Sequence, residues 1–195
     1  MFRRFILAAV LAAGVSTGAL AADALTDGQI AHIAYTAGQL DVSQAGQALI
    51  KSQNSDVVDF AILMAKDHKA VNDAALKLIT KEEIAPVDNP TSQSLVQGAI
   101  TEAGKLAQLS GDDFDKGYIA NEIAYHKQVI GALQDTLIPA TKDAALKEFL
   151  TQGVPLFQSH LEHAEKIAAK LNGEENPAAS GAAAPAAPPA EASGK

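Results

Sequence analysis

The sequence predicts an all-α fold, a four-helix bundle with one long crossover that carries a short extra helix. Three observations carry that expectation. Apolar residues recur at helical spacing from Thr26 to Gly173, interrupted only by short turn signals. The chain is 48% hydrophobic but only 5% aromatic and has no Trp, so Ala, Leu, Ile and Val supply its apolar mass, as they do in packed helices. Strand patterns are nearly absent, and 195 residues are enough for one core. A five-helix up-and-down bundle is the alternative topology.

Taken from the N-terminus, Met1 to Ala21 reads as a secretory signal. Arg3 and Arg4 supply the positive start, Phe5 to Val15 the apolar stretch, and Ala19-Leu20-Ala21 the small-residue cleavage site, so the mature chain is expected to start at Ala22. Phe5 to Val15 falls well short of the roughly 20 residues needed to cross a bilayer, and no membrane span is expected in the mature chain. The bundle is expected over 22–173. Its first helix runs from about Thr26, an N-cap residue, to Ser52. The second starts at Asn54-Ser55-Asp56 and carries Val57, Ala61, Met64, His68, Val71, Ala75 and Leu78 on one stripe before Pro86 stops it. The short turn between them makes them antiparallel neighbours. Asn89-Pro90 pairs an N-cap with Pro at the first helical position and opens a shorter helix that closes at Ser110-Gly111. Asp112 and Asp113 then cap a fourth helix with Tyr118, Ile119, Glu122, His126, Val129 and Leu133 along one side, ending at Ile138-Pro139. Thr141 begins the fifth, which runs to Asn172-Gly173. The remainder, 174–195, is rich in Ala and Pro and has no large apolar side chain, which predicts a disordered tail. A tether towards the envelope is its alternative reading.

Composition excludes several function classes. A net charge of −8 offers no electrostatic footprint for a phosphate backbone, so nucleic acid is not an expected partner. With no Cys there are no disulfides, thiolate metal sites, iron–sulfur clusters or Cys nucleophile. No Gly-rich phosphate loop, no His-Glu-x-x-His and no nucleophile elbow occurs, so no enzymatic reaction is indicated.

The chemistry that remains lies on the apolar stripes. His68 takes a core position of helix two, Glu122 and His126 share the inner stripe of helix four, and His160, with His163 one turn on, extends the Phe149, Gly153, Leu156 stripe of helix five. In helix one, Asp41 is flanked on its own side by Ala34, Ala37, Ala45 and Ala48. A buried charge without a partner costs several kcal/mol, so these groups must meet one another, water or a metal. A turn centred near residue 53 places Asp41 within about one turn of His68. The turn near Pro139 places His160 about 4.5 Å along the axis from Glu122, which makes Glu122 and His160 the leading ligand pair. His126 lies level with Gly153, beside Pro155, whose missing N–H leaves the Thr151 carbonyl free to accept from the imidazole. Asp67 and His68 diverge by about 100° around their helix, and no Glu-x-x-His pair of the di-iron type occurs.

Several of these residues also form a family pattern. Val58-Asp59-Phe60-Ala61 with Met64 and Asp67-His68, then Gly111 to Tyr118, His126, and finally Val154-Pro155-Leu156 with His160-Leu161, resemble the bacterial exported "predicted outer membrane protein" domain of unknown function, placed among ferritin-like bundles. The resemblance covers about Asp23 to Leu171. It makes Asp67, His68, Asp115, Tyr118, His126, Pro155 and His160 signature positions, while Asp41 departs from it by standing where Glu is expected. It implies a ferritin-like bundle in an exported, periplasmic or outer-membrane setting and supplies no reaction.

Two function classes follow. One is an exported binding or stress-related envelope protein whose polar core is structural. The other is a metal-binding or redox bundle that uses Glu122, His160, His126, His68 and Asp41. Imidazole and carboxylate without thiolate suit zinc, iron, manganese or copper.

Overall fold

The computed structural model describes residues 24–173, so the predicted leader (Met1 to Ala21) and tail (174–195) lie outside the described residues. Within them the chain is helical and has no strand. Helix α1 spans Asp27–Lys51, α2 Ser55–Lys81, α3 Pro90–Ala107, α4 Gly111–Ala132 and α5 Ala144–Leu171. Among the described residues, no helix is long and apolar enough to cross a membrane.

Local chemistry explains most of the boundaries. Thr26 caps α1 in a capping box with Gln29, and Asn54 caps α2 by accepting from the amides of Asp56 and Val57. Asn89 caps α3, with Pro90 at the first helical position where no N–H is needed. Two expected starts move. Helix α4 begins at Gly111, whose φ of 56° makes the reversal out of α3, rather than at the Asp112-Asp113 cap. Helix α5 is capped by Asp143 and not by Thr141, which is buried with its hydroxyl donating to the Leu137 carbonyl.

Helix α4 also outruns its α-helical part. It continues through a π-helical turn, Leu133–Leu137, into a last α turn, Ile138–Ala140. The Ile138 N–H donates to the Leu133 carbonyl, five residues back. Pro139 has no N–H and its ring crowds the preceding turn, and the wider turn relieves that conflict.

The two hairpins, α1–α2 and α4–α5, pack with α1 against α4 and α2 against α5. Helix α3 returns along the length of the bundle outside them, packing on α1 and α4, so that α2 and α4 run in the same direction. Its first turn is held at the start of α1, where Asn89 donates to the Gln29 carbonyl and the Val87 N–H to that of Gly28. Its last turn is held at the end of α1, where Lys51 donates to the carbonyls of Leu106 and Ala107. Gly28 is needed at the first contact, since a Cβ there would strike the Ala85 carbonyl. This is the expected bundle with a crossover, except that the crossover helix has 18 residues.

The interior has three layers along the bundle axis. One apolar cluster, at the α1–α2 turn, contains Ala45, Ala48, Val57, Phe60, Met64, Phe114, Tyr118, Ile119 and Ala164. The other, at the opposite end, contains Ile30, Ile33, Ile79, Leu133, Leu137, Leu146 and Leu150. Burial of each such large side chain contributes about 1.5–3 kcal/mol. Between the two lies a polar layer.

Candidate metal centre

The polar layer forms because each of the four long helices places a polar residue at the same height. Helix α1 contributes Asp41, α2 His68, α4 Glu122 and His126, and α5 His160. None is more than 4% exposed. The three imidazoles form a near-equilateral triangle, with ring centres 5.6 Å apart for His68 and His126, 5.4 Å for His68 and His160, and 5.5 Å for His126 and His160. Phe157 stacks on His68 at 5.3 Å and fixes the plane of that ring.

Hydrogen bonds on the far side of two rings settle which nitrogens are free. His126 Nδ1 lies 2.9 Å from the Glu122 carbonyl, so it carries the proton and leaves Nε2 bare. His160 Nε2 lies 3.1 Å from the Asp67 carboxylate and donates to it, leaving Nδ1 bare. His68 Nε2 points towards Asp41 Oδ2 at 3.4 Å, and His126 Nε2 lies 3.9 Å from the same oxygen. All three of these ring nitrogens, both Asp41 oxygens and Glu122 Oε2 are buried without a hydrogen-bond partner. Native interiors pair nearly all such groups, so this many unpaired atoms at one place is a property of the site.

Ligand-type atoms of His68, His126 and His160 lie within 4.8 Å of one another, and so do those of Asp41, Glu122 and His126. His126 is common to both triads. All five residues expected from the sequence therefore meet; Asp41 and His68 face each other as the register from the first turn predicts, but the expected leading pair does not form. Glu122 and His160 fall in different triads, Glu122 standing 3.5 Å from His126 Nδ1. The Thr151 carbonyl plays no part, because Pro155 and Thr151 lie on the exposed side of α5 and His126 finds its acceptor on its own helix. His163 also leaves the layer; it is exposed and packs edge-on against Phe60.

Asp67 is the residue that facial reasoning set aside. Although it diverges from His68 on α2, it reaches sideways to α5 and orients His160, an arrangement that fixes an imidazole tautomer and raises its basicity. Asn72, one turn beyond His68, is likewise buried, and a Cβ at Gly38 would collide with its carboxamide. The family pattern had singled out Asp67; nothing in the sequence singled out Asn72.

Burial dominates the electrostatics. It pushes Asp41 up to about 7 and Glu122 well above the usual carboxylate range, with Asp41 reinforcing the rise at Glu122. It pushes His68 down to about 3 and His126 to about 4, and lowers His160 as well, where the Asp67 hydrogen bond opposes the shift. Neutral imidazoles and reluctant carboxylates are thus held together, and among the described residues no Lys or Arg offsets the rise of Asp41 or Glu122.

The chain matches the model of a domain of unknown function (DUF4142) over residues 12–167. No curated protein matches it. No solved structure matches it either. With the match covering most of its length, the chain belongs to the DUF4142 family.

Proposed function

We propose that this chain is an exported metal-binding bundle whose polar layer holds a divalent transition ion. The observation that carries the reading is the convergence of buried ligand atoms without a hydrogen-bond partner, His68 Nε2, His126 Nε2, His160 Nδ1 and the Asp41 carboxylate, with Glu122 alongside. A polar layer built only for structure would pair these atoms with one another, as Asp67 and His160 do. Charge supports the same reading: three neutral imidazoles and two carboxylates balance one divalent cation, which supplies what burial otherwise denies the acids. The donor set of nitrogen and oxygen without sulfur suits zinc, iron, manganese or copper. The Arg3-Arg4 start and the Ala19-Leu20-Ala21 site support export. Parallel α2 and α4 joined by a crossover support grouping the fold with ferritin-like bundles.

Metal analysis and calorimetric titration of the purified protein test this. Each chain is expected to retain or take up one such ion, which stabilises the fold by about 2.7 kcal/mol when free ion stands a hundredfold above its dissociation constant. His126→Gln, which removes the residue shared by both triads, is expected to abolish that increment, and His163→Gln on the exposed face to leave it intact. Identical melting curves of the parent with and without zinc, iron, manganese and copper would retire the proposal.

A further inference from the structure

The polar layer has two halves that differ in surroundings and in chemistry. Its imidazole half, with His68 and Asp67, borders a partly open hollow of about 600 Å³ among α1, α2, α4 and α5. Its carboxylate half, Asp41 and Glu122 with His126, stands next to the packed cluster that contains Phe60, Phe114 and Tyr118. Tyr118 belongs to both the cluster and the layer.

Tyr118, Glu122 and His126 follow one another at successive turns on one face of α4. The Tyr118 ring is wholly buried, edge-on to Phe60 at 6.3 Å, and its hydroxyl has no hydrogen-bond partner. The other two tyrosines of the chain are engaged: Tyr35 accepts from Gln39, and Tyr125 donates to the Ala37 carbonyl. A phenylalanine in place of Tyr118 would fill the same space without an unpaired polar atom in the interior, so packing does not account for the hydroxyl. What the hydroxyl faces does. Glu122 and Asp41 are the charged groups that act on it, and with burial they push the phenol well above its usual range.

Three acidic side chains therefore converge, and among the described residues no Lys or Arg is set against them. A cation among them reverses the balance, because coordination deprotonates a ligand that burial keeps protonated. Two carboxylates neutralise a divalent ion; a phenolate added to them makes three negative charges, which neutralise a trivalent one in a dry interior. Anionic oxygens suit hard cations, and tyrosine oxygen is a ligand that iron accepts. Of zinc, iron, manganese and copper, iron alone forms a trivalent ion that persists in aerated water. We infer that Tyr118 is a metal ligand and that the layer retains iron as Fe(III), held by the oxygens of Tyr118, Glu122 and Asp41 with His126 as the nitrogen donor. On binding, the phenol proton passes to solvent and an oxygen lone pair to the ion, with no change of oxidation state. The inference rests on the metal reading and deepens it, since the imidazole half suits the divalent ions already named and the oxygen half a trivalent one.

Ferric citrate added to chelator-treated full-length protein, by incubation and by refolding from urea in its presence, tests it, with zinc calorimetry on the same preparation as reference. Ferric loading is expected to give the visible charge-transfer band of an iron phenolate, with tyrosine ring modes enhanced in resonance Raman spectra excited in that band. Tyr118→Phe keeps the ring beside Phe60 and Phe114. It is expected to retain helix content, lose the band and weaken ferric binding about tenfold or more. The double variant Tyr35→Phe with Tyr125→Phe, in which Tyr118 is the remaining tyrosine, is expected to keep the band. A parent that takes up zinc but shows no band with ferric ion, a band that survives Tyr118→Phe, or one lost in the double variant would each overturn the inference and leave the metal proposal standing. Uptake of neither ion would retire both.

Discussion

The two ends of this bundle are built on the same helices and each holds an apolar cluster, but only one of them is filled throughout. At the α1–α2 turn, Phe60, Met64, Phe114, Tyr118 and Ile119 are wholly buried and interlock, with Phe114 and Tyr118 stacked parallel at 6.2 Å. At the other end Ile30, Ile79, Leu146 and Leu150 are buried as well, but the same helices carry Ala34, Ala37, Ala74 and Ala75, α4 widens into its π-helical turn, and a hollow remains beside that cluster. Helix geometry sets the spacing of the axes, and side-chain volume decides whether the space between them is filled. One end supplies cohesion, which lets the other leave room. The polar layer stands at their junction, where a close-packed floor holds its groups in place and a hollow gives access to them.

The contrast is tested most strongly by truncating one aromatic ring at each end. Phe60→Ala should cost about 3–5 kcal/mol, the usual loss for a ring removed from a packed core, and Phe157→Ala, at the edge of the hollow, less than half of that. Chemical denaturation of both variants measures the difference, and equal losses would mean that both ends are packed alike. The reverse substitution gives a smaller effect. Ala61→Leu in the packed end should cost about 1–3 kcal/mol by overpacking, whereas Ala75→Leu beside the hollow should be neutral or stabilise by up to about 1 kcal/mol.

The smallest expected effect belongs to the layer between them. In chelator-treated protein, the raised carboxyl of Asp41 favours folding while protonated, so its contribution is lost as pH rises through about 7. The lowered imidazoles of His68 and His126 act oppositely; their contribution is present above about 6.5 and is lost as pH falls towards 4 and 3. Below pH 6.5 the two slopes oppose each other, and above it only the raised carboxyls of Asp41 and Glu122 act, each by at most about 1.4 kcal/mol per pH unit. Asp41→Asn should therefore flatten the decline between pH 6.5 and 8 and abolish metal binding. Urea denaturation across that range checks it, and an unchanged decline would place its origin outside Asp41.

Much of this was legible in the sequence, for reasons that differ by residue. Thr26, Asn54 and Asn89 announce helix starts because a cap is a local arrangement of side chain and backbone. The membership of the polar layer was legible too, since a His or Asp on an apolar stripe is out of place wherever its neighbours lie. Of the pairings, Asp41 with His68 was legible and Glu122 with His160 was not. Register counted from the turns fixes height along the axis but not the sideways reach of a carboxylate, and so Asp67 was assigned away from the site it supports. Val71, Ala75, Gly153 and Leu156 continue apolar stripes, which predicts core positions, yet they border the hollow, as does Phe149 while packing on the cluster of that end. A seven-residue repeat drifts by about 20° per repeat around a straight helix, which carries one end of such a stripe off the contact line. The π-helical turn lacks a local signature beyond Pro139, because the conflict it relieves depends on how far α4 is held before the chain must reverse.

The distribution of the layer over the chain has a consequence for assembly. Asp41, Asp67 and His68 belong to the first hairpin, and Glu122, His126 and His160 to the second. Each hairpin closes through a short turn and can form early by local contacts, whereas the two meet only once the crossover has brought them together, the slower step in a chain of this topology. Neither hairpin alone can present the complete set of donors. Occupancy of the layer would then report the docking of the two halves, and a chain cut between α2 and α3 would regain the layer only by reassociation of its fragments.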